Sequence, residues 1–344
     1  MTIKYFLPCP LGLLPGGWDF EVIMDTPKTL LQAARYFADL SVCEEFMREI
    51  RWHGNDPVCP CCGSKRIGEV KTRRLMRCKD CRKQFSSKVG TIFEDSPLGL
   101  DKWFVAVWSI ANCKNGISSF ELGRSIGVTQ RTAWFMLHRI RVAMECDSTD
   151  KFGGTAEMDT TYVGGKASNM HAKRREKAIQ GRGSVGKTPV HGILQRGNKE
   201  KKIPSRVNAA VLGVNGIDNT MTHIKQTVKR GSEVFTDDAR AYDNLINDYT
   251  HQAIDHSVAY VKGAVHTNGI ENFWSLFKRS IKGTYVSIMP FHLFRYVSEQ
   301  VFRFNSRTLS DSVRFWLLLN MVFNKRLTYR MLSGTDDAGF MGKV

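Results

Sequence analysis

Three acidic residues, Asp159, Asp237 and Glu271, could together hold metal ions, and the first stands where an acid has little structural work to do. Asp159 lies inside Ala156-Glu-Met-Asp-Thr-Thr-Tyr-Val163, an apolar, β-branched run whose composition predicts a strand. Asp237 closes a second such run, Val234-Phe-Thr-Asp237, with Asp238 beside it and Tyr242 beyond. Glu271 falls in Gly269-Ile-Glu-Asn-Phe-Trp-Ser-Leu-Phe-Lys-Arg279, whose pattern predicts a helix. Lys278 follows seven residues on, two turns along the same face, so both side chains can point at one place. Carboxylates carried by two strands and a helix can hold two Mg2+ ions about 4 Å apart, activating an attacking oxygen and stabilising the leaving one. Singly, each acid has a plainer explanation. An Asp at a strand end is usually a turn former, and Glu with Lys on a helix is usually a solvated pair.

A second cluster is built of sulfur. Five of the nine cysteines fall between Cys59 and Cys81. Cys59-Pro-Cys-Cys62 and Cys78-Lys-Asp-Cys81 are two C-x2-C pairs separated by fifteen residues, a spacing that offers four thiolates to one tetrahedral Zn2+. Cys59, Cys62, Cys78 and Cys81 are the expected ligands, with Cys61 the spare. Four cysteines leave no open position, so the zinc is expected to be structural.

The elements that must carry these groups follow from periodicity. Helical spacing of apolar residues marks a segment at 24–56, ahead of a basic, polar ribbon at 57–88. From 100 to 146 the pattern is helical again. Within it Ser118 or Ser119 can cap one helix, Gly127 can turn the chain, and Thr129 can cap a second helix running to about Met144. Gln130, Arg131 and Thr132 then begin that second helix, where a helix-turn-helix meets base edges, with Arg139 and Arg141 further along. Turn formers at 146–154 mark a boundary, and 154–332 forms the expected second domain. Strands are expected at 156–163, 190–195, 206–214 and 233–236, with a helix at 221–229 before the last and further helices from 269. That is an α/β order. The stretch 166–187, which contains Arg174 and Arg175, reads as a basic loop.

The net charge of +17 favours a polyanionic partner such as nucleic acid, and the helix-turn-helix beside it makes double-stranded DNA the expected one, with Arg174 and Arg175 contacting phosphate. The longest apolar stretch, 315–323, is about half a membrane span, and Pro8, Pro10 and Pro15 break any signal-peptide core. No membrane association and a cytoplasmic location are therefore expected. Met24, which opens the first regular stretch, is an alternative start to Met1.

From about Met24 to Leu332 the chain resembles insertion-sequence transposases of the Asp-Asp-Glu type, the ISXO-like group with an N-terminal zinc ribbon. The resemblance rests on the paired cysteines, on Met158-Asp-Thr-Thr-Tyr-Val-Gly-Gly165, on Val234-Phe-Thr-Asp237 with Tyr242, and on His266-Thr-Asn-Gly-Ile-Glu-Asn-Phe-Trp-Ser-Leu-Phe-Lys-Arg279. Thirty-three residues separate Asp237 from Glu271, close to the family's short second interval. The resemblance implies an RNase H-like catalytic domain behind the ribbon and the helix-turn-helix. It implies Asp159, Asp237 and Glu271 as ligands of Mg2+ or Mn2+ and Lys278 as a DNA contact near them. Asn268 or Asn272 is the alternative third ligand, and Asp238 the alternative to Asp237. The activity implied is cleavage of insertion-sequence ends and strand transfer into target DNA, by a homo-oligomer assembled on that DNA. Two other readings fit parts of the pattern: a non-enzymatic DNA-binding regulator, and an RNase H-like nuclease that cuts without joining.

Overall fold

The computed structural model describes residues 8–9, 12–13, 27–145, 150–164, 187–198, 200–213, 216–237, 242, 245, 248–254 and 266–334. Arg174, Arg175, Asp238 and all of the expected basic loop but Lys187 lie outside them, as does Met24. By their contacts the residues fall into two compact units, one made of Trp18–Glu145 with Leu309–Phe340 and the other built on Cys146–Thr308.

The first unit starts with helices α1 (Leu30–Tyr36) and α2 (Leu40–Trp52), capped by the side chains of Thr29 and Asp39. A three-stranded antiparallel sheet follows, of β1 (Ile67–Val70), β2 (Leu75–Cys78) and β3 (Gln84–Phe85). Its small core is Trp52, Cys59, Met76, Cys78 and Phe85. Next come α3 (Leu100–Asn112), α4 (Ser119–Ile126) and α5 (Gln130–Met144). Ser118 and Glu121 form a capping box at the start of α4, and Gly127 ends it in the left-handed conformation that a residue without Cβ adopts freely. Thr129 caps α5 through the Thr132 amide. Both helix starts and the turn between them therefore lie where the sequence puts them.

The second unit is a five-stranded mixed sheet with helices. Its strands are β4 (Thr155–Val163), β5 (Thr188–Gln195), β6 (Arg206–Val211), β7 (Glu233–Asp237) and β8 (Thr250–Ile254), in the order β8-β7-β4-β5-β6. β4, β5 and β6 are antiparallel neighbours, whereas β7 runs parallel to β4 and β8 parallel to β7. Helix α6 (Gly216–Thr227) connects β6 to β7, and α7 (Asn268–Ser280) and α8 (Leu293–Asn305) follow the sheet. One apolar layer joins β5 and β6 to α7 and α8 through Val190, Leu194, Val207, Ile270, Phe273, Trp274, Leu293 and Val297. Asn305 both accepts from and donates to the Val207 backbone at 2.8 Å, satisfying peptide groups at the sheet edge.

The chain then returns to the first unit with α9 (Asp311–Asn320) and α10 (Tyr329–Ser333). This corrects the expected span of 154–332, which the contacts end at Thr308. The reason is apolar burial. Phe315 of α9 sits among Phe37, Phe46, Phe104 and Trp108, with ring centroids 5.1–6.4 Å away. Those partners belong to α2, α3 and the turn after α1. Strand β8 was not expected either.

Candidate active site and metal centre

Asp159 occupies the middle of β4, directly across from Gly192 on β5. β7 pairs with β4 from Thr155↔Glu233 to Glu157↔Phe235, so on the same register Asp237 stands level with Asp159 two residues beyond the last pair. Glu271 is in the first turn of α7, where Thr267 donates to it at 2.9 Å. A cleft of about 740 Å³ is lined by Asp159, Glu271, Trp274, Ser275, Lys278, Arg279, Lys282 and Gly283. Lys278 thus shares the cleft with Glu271, as their seven-residue spacing requires. Asn268 and Asn272 do not line it, and neither does Asp237, which stands one strand over from Asp159.

Two glycines let α7 lie this close to the sheet. A Cβ on Gly192 would come within 2.5 Å of the Trp274 ring, and one on Gly269 within 2.7 Å of Glu157 Oε2. Glu157 itself, buried on β4 two residues before Asp159, was not anticipated as part of the site. Its Oε2 accepts the Ile270 amide at 3.0 Å, and its Oε1 pairs with Arg196 Nε at 2.7 Å. Arg196 donates onward to the His266 carbonyl at 2.7 Å and lies over the Phe235 ring at 4.6 Å. A buried acid inside a strand was the available signal, masked by the more familiar Asp beside it.

Burial, then the charge of Asp237, pushes the Asp159 carboxyl above its ordinary range. Glu271 adds to this, while the Thr160 amide and Lys278 oppose it. Carboxylate oxygens are hard donors of the kind that suits Mg2+ or Mn2+. The donor set fits such ions. Among the described residues, however, the four cysteines are the only group of three or more potential ligands whose atoms all lie within 4.8 Å of one another, so the carboxylates are the looser set.

Behind the acids, Tyr242 is buried and its hydroxyl stands 3.4 Å from Thr160 Oγ1. Burial raises its pKa. His191 and His223 meet through their Nδ1 atoms at 2.8 Å, and His223 Nε2 reaches Asn208 Oδ1 at 2.9 Å. Since the Asn oxygen only accepts, Nε2 of His223 carries the proton and His191 Nδ1–H donates to His223. Burial lowers both histidines, His223 to about 4.

In the ribbon, Cys59 and Cys81 sulfurs are 3.6 Å apart, as are those of Cys62 and Cys78. Tetrahedral zinc with ~2.3 Å bonds sets its sulfurs ~3.8 Å apart, so the four fit one ion. The Cys81 amide draws Cys78 down to about 6. Cys61 faces away, accepting from Lys83 Nζ at 3.0 Å.

The three residues expected at the recognition helix are each held. Gln130 donates to Ser119 Oγ at 2.8 Å, and Thr132 Oγ1 meets Thr129 Oγ1 at the same distance. Arg131 donates to the Tyr329 hydroxyl at 2.6 and 3.1 Å and stacks over that ring. Arg139 and Arg141, on the same helix, are buried and present no surface for DNA.

Fold and site together define a mixed α/β protein with a four-cysteine staple and an acidic cleft under a cationic rim. Residues 151–305 match the ISXO2-like transposase domain, and residues 41–84 match the transposase zinc-ribbon domain. The chain is 29% identical over 245 residues to an uncharacterized protein in transposable element ISH50 of Halobacterium salinarum, covering 68% of this chain and 80% of that one. It is 33% identical over 91 residues to an uncharacterized transposase-like protein of Haemophilus influenzae, across 26% of this chain and 73% of the relative. The chain belongs to the insertion-sequence transposases with an ISXO2-like domain behind a zinc ribbon.

Proposed function

We propose that this transposase cuts the ends of its insertion sequence and joins them to target DNA, with Asp159, Asp237 and Glu271 holding Mg2+ or Mn2+. One observation carries the reading: Asp159 and Glu271 line one cleft with Lys278, Arg279 and Lys282, and Asp237 on the neighbouring strand is near enough for its charge to raise the Asp159 pKa. Bound divalent ions supply a Lewis acid that lowers the pKa of water and neutralises charge on the transferring phosphoryl group. The rest falls to the protein. Lys278 takes a non-bridging phosphate oxygen and fixes the scissile strand against the acids. Trp274 walls the cleft and excludes water from one side. Three antiparallel strands followed by two parallel ones, with Asp159 on the central strand and Asp237 on its parallel neighbour, support an RNase H-like assignment for this unit.

In the first unit the ribbon at 57–88 is the zinc-bound structural part. Helices α4 and α5, within 100–146, form the helix-turn-helix that reads the ends through Gln130, Arg131 and Thr132. Arg174 and Arg175 add phosphate contacts. Synapsis of two ends calls for more than one copy on the DNA.

The test is a cleavage and joining assay on duplexes bearing the terminal repeats. Asp159→Asn, Asp237→Asn and Glu271→Gln should each abolish cutting and joining, by at least ~10²-fold, while end binding survives. Lys278→Ala should be milder, since it removes a phosphate contact and no metal ligand. Cutting without joining by the wild type would make the protein a nuclease instead. Joining by all three acid variants would end the proposal.

A further inference from the structure

Past the cleft, α7 does not end cleanly. Ile281–Tyr285 extends it as a π-helical turn, a form that concentrates at functional sites. The chain then reverses at Val286, with φ 61° and ψ −55°, and the Ser287 amide donates back to the Tyr285 carbonyl at 2.6 Å. That is the rarer, strained hand of the γ-turn. A β-branched residue at its centre is a genuine backbone outlier. Such strain persists only where the surroundings impose it, and it gathers at functional sites.

Here the surroundings do impose it. The Val286 amide donates to the Ile281 carbonyl at 2.7 Å. The Tyr285 ring packs edge-on to Tyr296 at 4.8 Å, and its hydroxyl donates to buried Glu299, which is paired in turn with buried Arg303. Pro290 then fixes the start of a 3-10 turn, Pro290–His292. The result is a rigid turn that holds Val286 and Met289 outward, 78% and 66% exposed, with Phe291 at 42%. One turn back along the chain, Lys278, Arg279 and Lys282 line the cleft.

An apolar tip with a cationic collar suits a nucleic acid whose bases are partly unstacked. The cations meet phosphates, and the apolar side chains meet the bared faces of the bases. A second copy of the chain fits less well, because it would set one cationic rim against another in a protein of net charge +17.

We infer that the 286–289 turn is a wedge that enters DNA beside the cleft and holds a base step open there. This rests on the reading of the cleft as the cutting site. It assigns Val286 and Met289 to the faces of the bases, and Arg279 and Lys282 to the flanking phosphates.

The test uses the full-length protein and duplexes carrying the inverted repeat that flanks its gene. Each duplex has 2-aminopurine, which brightens on unstacking, at one position near the element boundary. The wild type should brighten one or two adjacent positions several-fold. Met289→Ser and Val286→Gly should each lose at least half of that rise while binding the duplex with an unchanged salt dependence. Val286→Gly should melt no lower than the wild type, because glycine relieves the turn, which separates loss of the wedge from loss of folding. The inference is overturned if no position brightens although the wild type binds, or if both variants keep the full rise. It is also overturned if Met289→Ser changes the oligomeric state without DNA, which would give the surface to a second copy. The signal needs no cleavage, so the two readings fail separately. Asp159→Asn that still cuts would sink the cleft assignment, whereas a dead Asp159→Asn with unaltered fluorescence in the Met289 and Val286 variants would sink the wedge alone.

Discussion

Glu157 ties the strand that carries Asp159 to the helix that carries Glu271, by accepting the Ile270 amide and pairing with Arg196. Removing Glu157 leaves Arg196 only partly buried, so the cost falls at or below the lower end of the about 3–5 kcal/mol found for fully buried pairs. Glu157→Ala should therefore lower stability by that order. Glu157→Gln keeps an acceptor for Ile270 and should fold, but with α7 less firmly placed. If Glu157 positions the acids, the Gln variant should need severalfold more Mn2+ for half-maximal cleavage while end binding stays unchanged. An unaltered Mn2+ titration would reduce Glu157 to a packing role. The histidine pair makes a pH prediction. His223 in the folded chain titrates near 4, and in the unfolded chain near ~6.5. Between those values the unfolded state binds more protons, so folding stability falls as pH drops through that window, by up to ~1.4 kcal/mol per unit for each such group. Urea unfolding at pH 7.5 and pH 5 should show the loss, and His223→Gln should shrink it.

At the scale of elements, the cysteine staple and helix α5, proposed to read DNA, are each open to a separate test. One zinc per chain is expected by elemental analysis, unchanged in Cys61→Ser and lost in Cys78→Ser, with the core around Trp52 and Phe85 exposed. Arg131 is steered by Tyr329 of α10, a residue nearly two hundred positions away. Arg131→Ala should relax sequence preference, and Tyr329→Phe should do so partially, since it keeps the ring and drops the hydroxyl. Capped helices were legible because Ser118, Gly127 and Thr129 act locally. Strands β4, β5, β6 and β7 were legible from apolar runs, although their ends moved by a residue or more. Strand β8, Thr-His-Gln-Ala-Ile, was not. It is an edge strand with one paired neighbour, and no alternation of polar and apolar residues marks it. The allegiance of α9 was equally hidden. Its apolar residues declare burial, but only the tertiary contacts of Phe315 say against what.

For the whole molecule, two sequence signals of different kinds converge. A surplus of +17 predicts a binding affinity for DNA that falls steeply and log-linearly with salt. The three acids predict that this binding is separable from chemistry. The spacing of Asp159, Asp237 and Glu271 was readable before any fold, while the register that levels Asp237 with Asp159, and the glycines that admit α7, belong to the tertiary structure. The proposed contact between these carboxylates and divalent ions is tested most directly by replacing oxygen with sulfur. Mg2+ takes oxygen ligands and accepts thiolate poorly, whereas softer divalent ions accept it more readily. Asp159→Cys and Asp237→Cys should each be inactive in strand cleavage with Mg2+ and recover activity when Mn2+ replaces it. Asp238→Cys should be active with both ions. If the two variants bind DNA ends yet stay dead in Mn2+, or if Asp238→Cys is the one that Mn2+ rescues, the metal assignment is contradicted.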